Sequence, residues 1–234
     1  PEVTTEAHRP WLAELTDTAS GMIEPHARDA LEVAGGEASA LDIACNEGLI
    51  SQRLVDWGAS RVLGIDSREL NIRRAKLLRD QFDISAARLE FEQRDLFDLD
   101  PAGVGRFDVV AMLGIVYHLE NPMGAIRLAH SLTKRVCLIE SQVIPDGAPI
   151  EWTTPDGQSR TAPARFALYR EPDEETKLSP LAAMPGIVSL IPSRAALVEM
   201  VSAAGFSSVA TVDPPPDGHP EHLNGNRAVV VAAS

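Results

Sequence analysis

Cysteine is scarce in this chain of 234 residues, with only Cys45 and Cys137 present. Two thiols exclude a disulfide-stapled scaffold and a multi-cysteine zinc module. Positive charge is also short. Lys and Arg number 21 against 34 Asp and Glu, a formal net charge of −13. Such a chain is poorly suited to gripping a polyanionic backbone by general electrostatics, so nucleic acid is not the expected partner. Long apolar runs are missing too. The longest, such as residues 109–116, fall far short of a membrane span. The opening residues PEVTTEAHRP lack the basic-then-apolar order of an export signal, so the expected compartment is the cytoplasm and no membrane partner is expected. No internal repeat or low-complexity tract is visible.

What is present is an ordinary globular composition, 44% hydrophobic and 24% charged, at 25.2 kDa. That is enough for one domain over residues 1–234 with a substantial core. Residues 11–33 carry apolar side chains at Leu12, Leu15, Ala19, Met22 and Ile23, the spacing of one or two amphipathic helices. With the tight Gly35-Gly36 loop they form an N-terminal helical cap over residues 1–36. Their apolar side is available to cover a ligand or the second subunit of a homodimer.

Strand and helix patterns then alternate. Strands are expected at 40–44, 62–66, 89–92, 107–113 and 135–140, and helices at 49–57, 70–82 and 123–131. In the second helix Ile72, Ala75, Leu78 and Phe82 are expected to share one side. From 141 to 191 the rhythm breaks into a proline-rich stretch with an acidic cluster at 173–175, read as a lid insertion. Ser193 is a plausible N-cap for a helix over 194–204, with Leu197 and Val201 inward. Strands at 209–212 and 227–232 close the chain as an antiparallel edge hairpin. The expected fold is an α/β, doubly wound, mostly parallel seven-stranded sheet. Ligands in such sheets sit beyond the carboxyl ends of the strands, after Asp42, Asp66, Asp95 and Leu113.

The stretch Leu41–Gly48, LDIACNEG, is the most informative. Ala44 and Gly48 are expected to let backbone approach a ligand. Three glycines would be needed for a dinucleotide fingerprint, and they are not here. An acid aimed at this turn suits a cationic amino group better than a pyrophosphate. Asp66 has the place and chemistry to take two ribose hydroxyls, and Asp95 to accept from an exocyclic adenine amine. Together the acids describe an adenosine carrying a zwitterionic amino-acid tail. Taken singly, Asp42 could instead be a helix N-cap and Asp66 a turn residue.

These segments resemble the class I S-adenosylmethionine-dependent methyltransferases. LDIACNEG looks like that family's first motif, VLGID at 62–66 like its second, and RDLFDL at 94–99 like its adenine-contacting motif. FDVVAMLGIVYHLENP at 107–122 is similar to its fourth motif, and IPSRAALVEMVSAAGF at 191–206 also fits. DIACNEG followed by YHLENP is nearest the branch containing the tRNA wobble-uridine carboxymethyltransferase and related small-molecule enzymes. Two departures stand out: Ala44 and Asn46 replace commoner glycines, and the large basic N-terminal region of the tRNA-acting members has no counterpart in this sequence.

The resemblance implies a Rossmann-like methyltransferase fold and S-adenosylmethionine as cofactor. Asp42, Ala44, Cys45, Asn46 and Gly48 would shape the methionine side, Asp66 and Ser67 the ribose, Asp95 and Leu96 the adenine, with Leu113 near the methyl. Cys45 itself reads as a small packing residue.

His118, unperturbed near neutrality, could take a proton from a hydroxyl or amine acceptor, or could instead support the bend at Glu120-Asn121-Pro122. Tyr117 reads as a second catalytic-site residue, more a wall than a base. Trp152, Arg165 and Tyr169 in the insertion could clamp a substrate or simply pack the lid. No metal set is indicated, since His118 and Glu140 have no third ligand. His219 and His222 fall in an exposed-looking turn. The expected reaction is methyl transfer to an oxygen or nitrogen of a small molecule. The alternatives are a tRNA-modifying (carboxy)methyltransferase and a non-catalytic cofactor- or partner-binding domain.

Overall fold

The computed structural model describes residues 10–172 and 184–234. The N-terminal segment is one continuous helix, α1 (Pro10–Ala34). Leu15, Ala19, Met22, Ile23, Ala27 and Leu31 recur on one face and are all buried. Pro25 lies inside the helix without ending it, on the exposed side.

Alternation then follows the expected rhythm: β1 (Ser39–Ile43), α2 (Leu49–Asp56), β2 (Arg61–Asp66), α3 (Glu69–Gln81), β3 (Leu89–Gln93), a short α4 (Pro101–Val104), β4 (Phe107–Leu113), α5 (Pro122–Leu132) and β5 (Thr133–Gln142). The insertion carries β6 (Ile150–Thr153), β7 (Ser159–Ala162), β8 (Phe166–Tyr169) and β9 (Ser189–Pro192), and near the C-terminus come α6 (Arg194–Ala203), β10 (Ser208–Val212), α7 (Pro220–Leu223) and β11 (Arg227–Ala233). The seven-stranded sheet has the order β10-β11-β5-β4-β1-β2-β3. Only β11 runs against the rest, pairing antiparallel with both β5 and β10. The order reverses between β1 and β4, so the carboxyl ends of these two strands open a crevice at the switch point.

Period-two alternation divides the core between the sheet faces. Leu41, Ile43, Met112 and Ile139 face α5 and α6, where Ile126, Ala129, Leu197 and Val201 meet them. Ala40, Val62, Phe91 and Leu138 face α1, α2 and α3. Ser193 caps α6 as expected, its hydroxyl accepting from the Ala196 amide.

Three expectations need correction. The α3 face that packs is Asn71, Ile72 and Ala75, and Phe82 is 64% exposed beyond the helix end. β5 is longer than expected, because its last residues, through Gln142, pair with β11. The insertion is more regular than its prolines suggest. It forms a hairpin of β6 (Ile150–Thr153) and β7 (Ser159–Ala162), and β8 (Phe166–Tyr169) pairs with β9 (Ser189–Pro192). The acidic cluster expected at 173–175 lies outside the described residues.

The return strand β9 is stitched to the turn after β4. The Leu190 amide donates to the Leu119 carbonyl at 3.1 Å, and the Val188 amide donates to Glu120 Oε1 at 2.8 Å.

Candidate functional site

A cavity of about 900 Å³ lies over the carboxyl ends of β1, β2, β3 and β4. At the end of β1, Asp42 is 2% exposed and accepts a 2.6 Å hydrogen bond from the Ser51 hydroxyl. It sits within the strand and caps no helix. Burial pushes its carboxyl up to about 7, and the nearby Asp66 charge adds to the effect.

The following turn holds Ala44 at φ +60° and Asn46 at φ +48°. Left-handed backbone costs an alanine about 1–2 kcal/mol, whereas asparagine adopts it more readily. The turn is fixed by Cys45 N donating to the Ile65 carbonyl and Gly48 N to the Cys45 carbonyl, both at 2.8 Å. Cys45 is buried in the core on the α2 side, and burial pushes its thiol well up, consistent with packing and not with a nucleophile.

Gly48 caps α2 at φ +84°, and a Cβ there would sit 2.5 Å from Cζ of Phe91. Glycine is needed for close packing of this turn on β3, and Gly48 is not part of the cavity wall.

At the end of β2, Asp66 Oδ1 accepts from the Arg68 amide (2.8 Å) and from Asn71 Nδ2 (3.2 Å), and Oδ2 accepts from the Asn46 amide (3.1 Å). These donors hold its carboxylate in one orientation at the cavity wall, beside Ser67. Burial, the largest influence, raises its pKa, and these hydrogen bonds hold the rise back. Asn46 also lines the cavity, and its side-chain Oδ1 is buried without a hydrogen-bond partner among the described residues.

At the end of β3, Asp95 Oδ1 accepts from the Phe97 amide and starts a short 3₁₀ turn. Leu96 is buried, while Phe97, 48% exposed, also faces the cavity.

β4 delivers Leu113, then Gly114 in left-handed backbone with its amide on the Glu140 carbonyl. A 3₁₀ turn places Tyr117 and His118 in the wall, rings 4.1 Å apart. Asn121, not His118, caps α5, with its side chain accepting from the Gly124 amide. The reading of His118 as support for that bend is therefore unnecessary.

Burial, followed by the positive charges of Arg227 and Arg68, pushes His118 down to about 4, so the ring is neutral at pH 7. Its Nδ1 lies 3.0 Å from Glu171 Oε1, a contact that would favour the charged ring. The downward direction holds because the pair lacks hydrogen-bond alignment. Burial raises the Tyr117 phenol, which makes it a poor base at neutral pH. Arg227 Nη2 donates to its hydroxyl at 3.4 Å and pairs through both nitrogens with Glu140.

The insertion residues do not join this group. Trp152 lies on β6, 48% exposed, and Tyr169 on β8, 45% exposed, neither in the cavity wall. Arg165 covers Gly147 and donates to the Ala148 carbonyl, so its guanidinium braces the insertion against itself. The far wall is built instead by Trp11, Leu12 and Leu15 of α1 and by Met184 and Ile187 ahead of β9. His222, expected in solvent, is 3% exposed and 3.8 Å from Glu140. Arg227 and Phe97 were also missed. An isolated arginine at a strand start carries no motif, whereas Phe97 directly follows the Asp95-Leu96 pair and could have been read with it.

Residues 41–138 match the methyltransferase domain family. The tRNA U34 carboxymethyltransferase of Actinobacillus succinogenes is 26% identical over 76% of this chain and 47% of its own length. The ubiquinone biosynthesis O-methyltransferase of Pseudomonas aeruginosa is 32% identical over 55% of this chain and 54% of its own. The chain thus spans about half the length of these curated relatives. Among solved structures, the N-terminal domain of EvdMO1 with SAH bound superposes with a TM-score of 0.65 at 23% identity, covering 90% of this chain and 80% of that one. Magnesium protoporphyrin IX methyltransferase from Synechocystis with bound SAM gives 0.55 at 14% identity, covering 100% and 86%. Residues 41–138 thus carry a methyltransferase-domain match, and the fold is the one found in solved methyltransferase structures.

Proposed function

We propose that the chain binds S-adenosylmethionine over the carboxyl ends of β1 to β4 and methylates an oxygen or nitrogen of a small, largely apolar acceptor. The observation that carries this reading is the two-sided cavity. One side presents the acids Asp42, Asp66 and Asp95, and the other presents Trp11, Leu12, Leu15, Met184 and Ile187. The cofactor fits the first side chemically. Asp66 is held rigid for a ribose, Asn46 Oδ1 is an acceptor without a partner among the described residues, and Asp42 is a buried acid suited to an ammonium. When bound, the cofactor would supply a sulfonium methyl group open to in-line attack by an acceptor lone pair, the electrons of the broken C–S bond staying on the departing sulfur.

The chain's own contribution is positioning and exclusion of water. Leu113 and Gly114 border the place where the reacting groups meet. Neutral His118 accepts a hydrogen bond from an acceptor hydroxyl or amine and takes its proton as the new bond forms. Tyr117, fixed by Arg227, forms the wall beside it. In this reading α1 is the cap, residues 141–191 form a lid over a single domain, and the setting is the cytoplasm. Incubation with methyl-labelled S-adenosylmethionine and a fractionated metabolite extract tests it. Label is expected in an organic-soluble small molecule; label found only in RNA would overturn the small-molecule assignment.

A second reading, transfer to tRNA, is favoured by the similarity over 76% of this chain to a tRNA U34 carboxymethyltransferase. The net charge of −13 weighs against it. Salt-sensitive retention of tRNA on filters would support it, and none at low salt would remove it.

A further inference from the structure

Glu171 follows β8 and has no place in the cavity wall. Its carboxylate nevertheless turns inward. Oε1 lies 3.0 Å from Nδ1 of His118, with the two side chains only 11% and 14% exposed. Nδ1 is buried and makes no aligned hydrogen bond to any described residue, Glu171 included. That contact joins two segments already fixed together, because β8 pairs with β9, and β9 and the residue ahead of it are bonded to Leu119 and Glu120. A carboxylate in a proline-rich insertion is thus held against an imidazole that lines the cavity.

We propose that Glu171 is the positioning residue of a Glu171–His118 pair, fixing the proton on Nδ1 so that Nε2 presents its lone pair to the acceptor. The inference rests on the proton-accepting role of His118 given above. The acceptor's O–H or N–H bond breaks, its proton forms the new N–H bond at Nε2, and the resulting imidazolium is balanced by the Glu171 carboxylate. Free imidazole prefers its proton on Nε2, which would point a donor at the acceptor and block this step. A carboxylate at Nδ1 reverses that preference. It also opposes the charged groups that hold the ring neutral, Arg227 from β11 and Arg68 beyond β2. Tyr117 packs against the ring and supplies no charge at neutral pH. The two groups are in contact but not hydrogen-bonded, so one side chain must rotate into alignment, which would couple the base to the position of the insertion.

The test is the imidazole ¹⁵N spectrum of histidine-labelled full chain at neutral pH, with the His118 signal assigned by its loss in His118→Asn. The wild type is expected to show a protonated Nδ1 and a bare Nε2. Glu171→Leu is expected to return His118 to the Nε2-protonated form. Glu171→Gln, whose amide oxygen still accepts, is expected to keep the wild-type tautomer. An Nε2-protonated wild type, or a tautomer unchanged in Glu171→Leu, would overturn the proposal. Calorimetry with S-adenosylhomocysteine on the same samples separates the two levels. Binding without the tautomer signature removes only the pair, whereas no binding by folded wild type removes the functional reading beneath it.

Discussion

At the strand ends Asp42 and Asp66 are 2% and 7% exposed and held by named hydrogen bonds, whereas across the same cavity Trp11 and Met184 are 49% and 39% exposed. The first side is made of backbone in a sheet, and its carboxylates cannot move without breaking turn bonds. The second is made of one end of a helix and the return of an insertion, where apolar side chains can repack. Rigid polar groups suit a ligand of fixed chemistry, and adaptable apolar ones suit a family of acceptors. The Glu140–Arg227 pair lines the same cavity from the end of β5 and the start of β11.

That division is open to direct attack. The largest effect is expected at the buried Glu140–Arg227 pair. Arg227→Met leaves the Glu140 carboxylate buried without its cation and should cost about 3–5 kcal/mol of stability, read as a lower urea midpoint at unchanged slope. A loss below about 1 kcal/mol would mean that water already solvates the pair.

Next comes the rigid side. Asp66→Ala should weaken S-adenosylhomocysteine at least about 100-fold, as expected for losing charged hydrogen bonds to a diol; a change within threefold would remove Asp66 from the site.

Asp42 provides the pH test. Its folded pKa of about 7 lies above its unfolded value, so the folded state binds more protons between the two. Stability should therefore fall as pH rises from about 4 to about 7, and Asp42→Asn, which spares Ser51 its acceptor, should remove that slope. If the ammonium of the ligand needs the ionised carboxylate, affinity should weaken up to about tenfold per unit as pH falls below about 7. A flat affinity from pH 5.5 to 8 would show that Asp42 has no contact with it.

The smallest effect is expected outside both sides. Trp152→Ala should change stability by less than about 0.5 kcal/mol and leave ligand affinity untouched. A tenfold loss would bring the β6–β7 hairpin into the site.

The same contrast explains what could be read from the chain. The strand ends were legible because a parallel strand announces itself by an apolar run and stops at a turn, so Asp42, Asp66 and Leu113 were placed from spacing alone. Gly48 lies in the informative stretch, but the packing that demands glycine there comes from the Phe91 ring, 43 positions along the chain in β3, and has no local signature. The insertion resisted reading for a different cause. β6 is exposed at every residue, so no apolar alternation marks it. Trp152, Arg165 and Tyr169 drew notice by residue type, yet type does not say which way a hairpin faces. The wall comes instead from Met184, Ile187 and α1, whose apolar side, Leu15 included, is the one expected from the sequence to cover a ligand or a second subunit. Arg227 and Glu171 were invisible for the same reason, since each acquires its role from a partner far along the chain.

Calorimetric titration of the wild-type chain with S-adenosylhomocysteine, run beside Asp66→Asn at the same pH, tests the strand-end site most directly. One ligand per chain is expected for the wild type, with affinity reduced at least about tenfold in the variant. No heat from a folded wild-type sample at millimolar ligand, or equal affinity in both proteins, would contradict it.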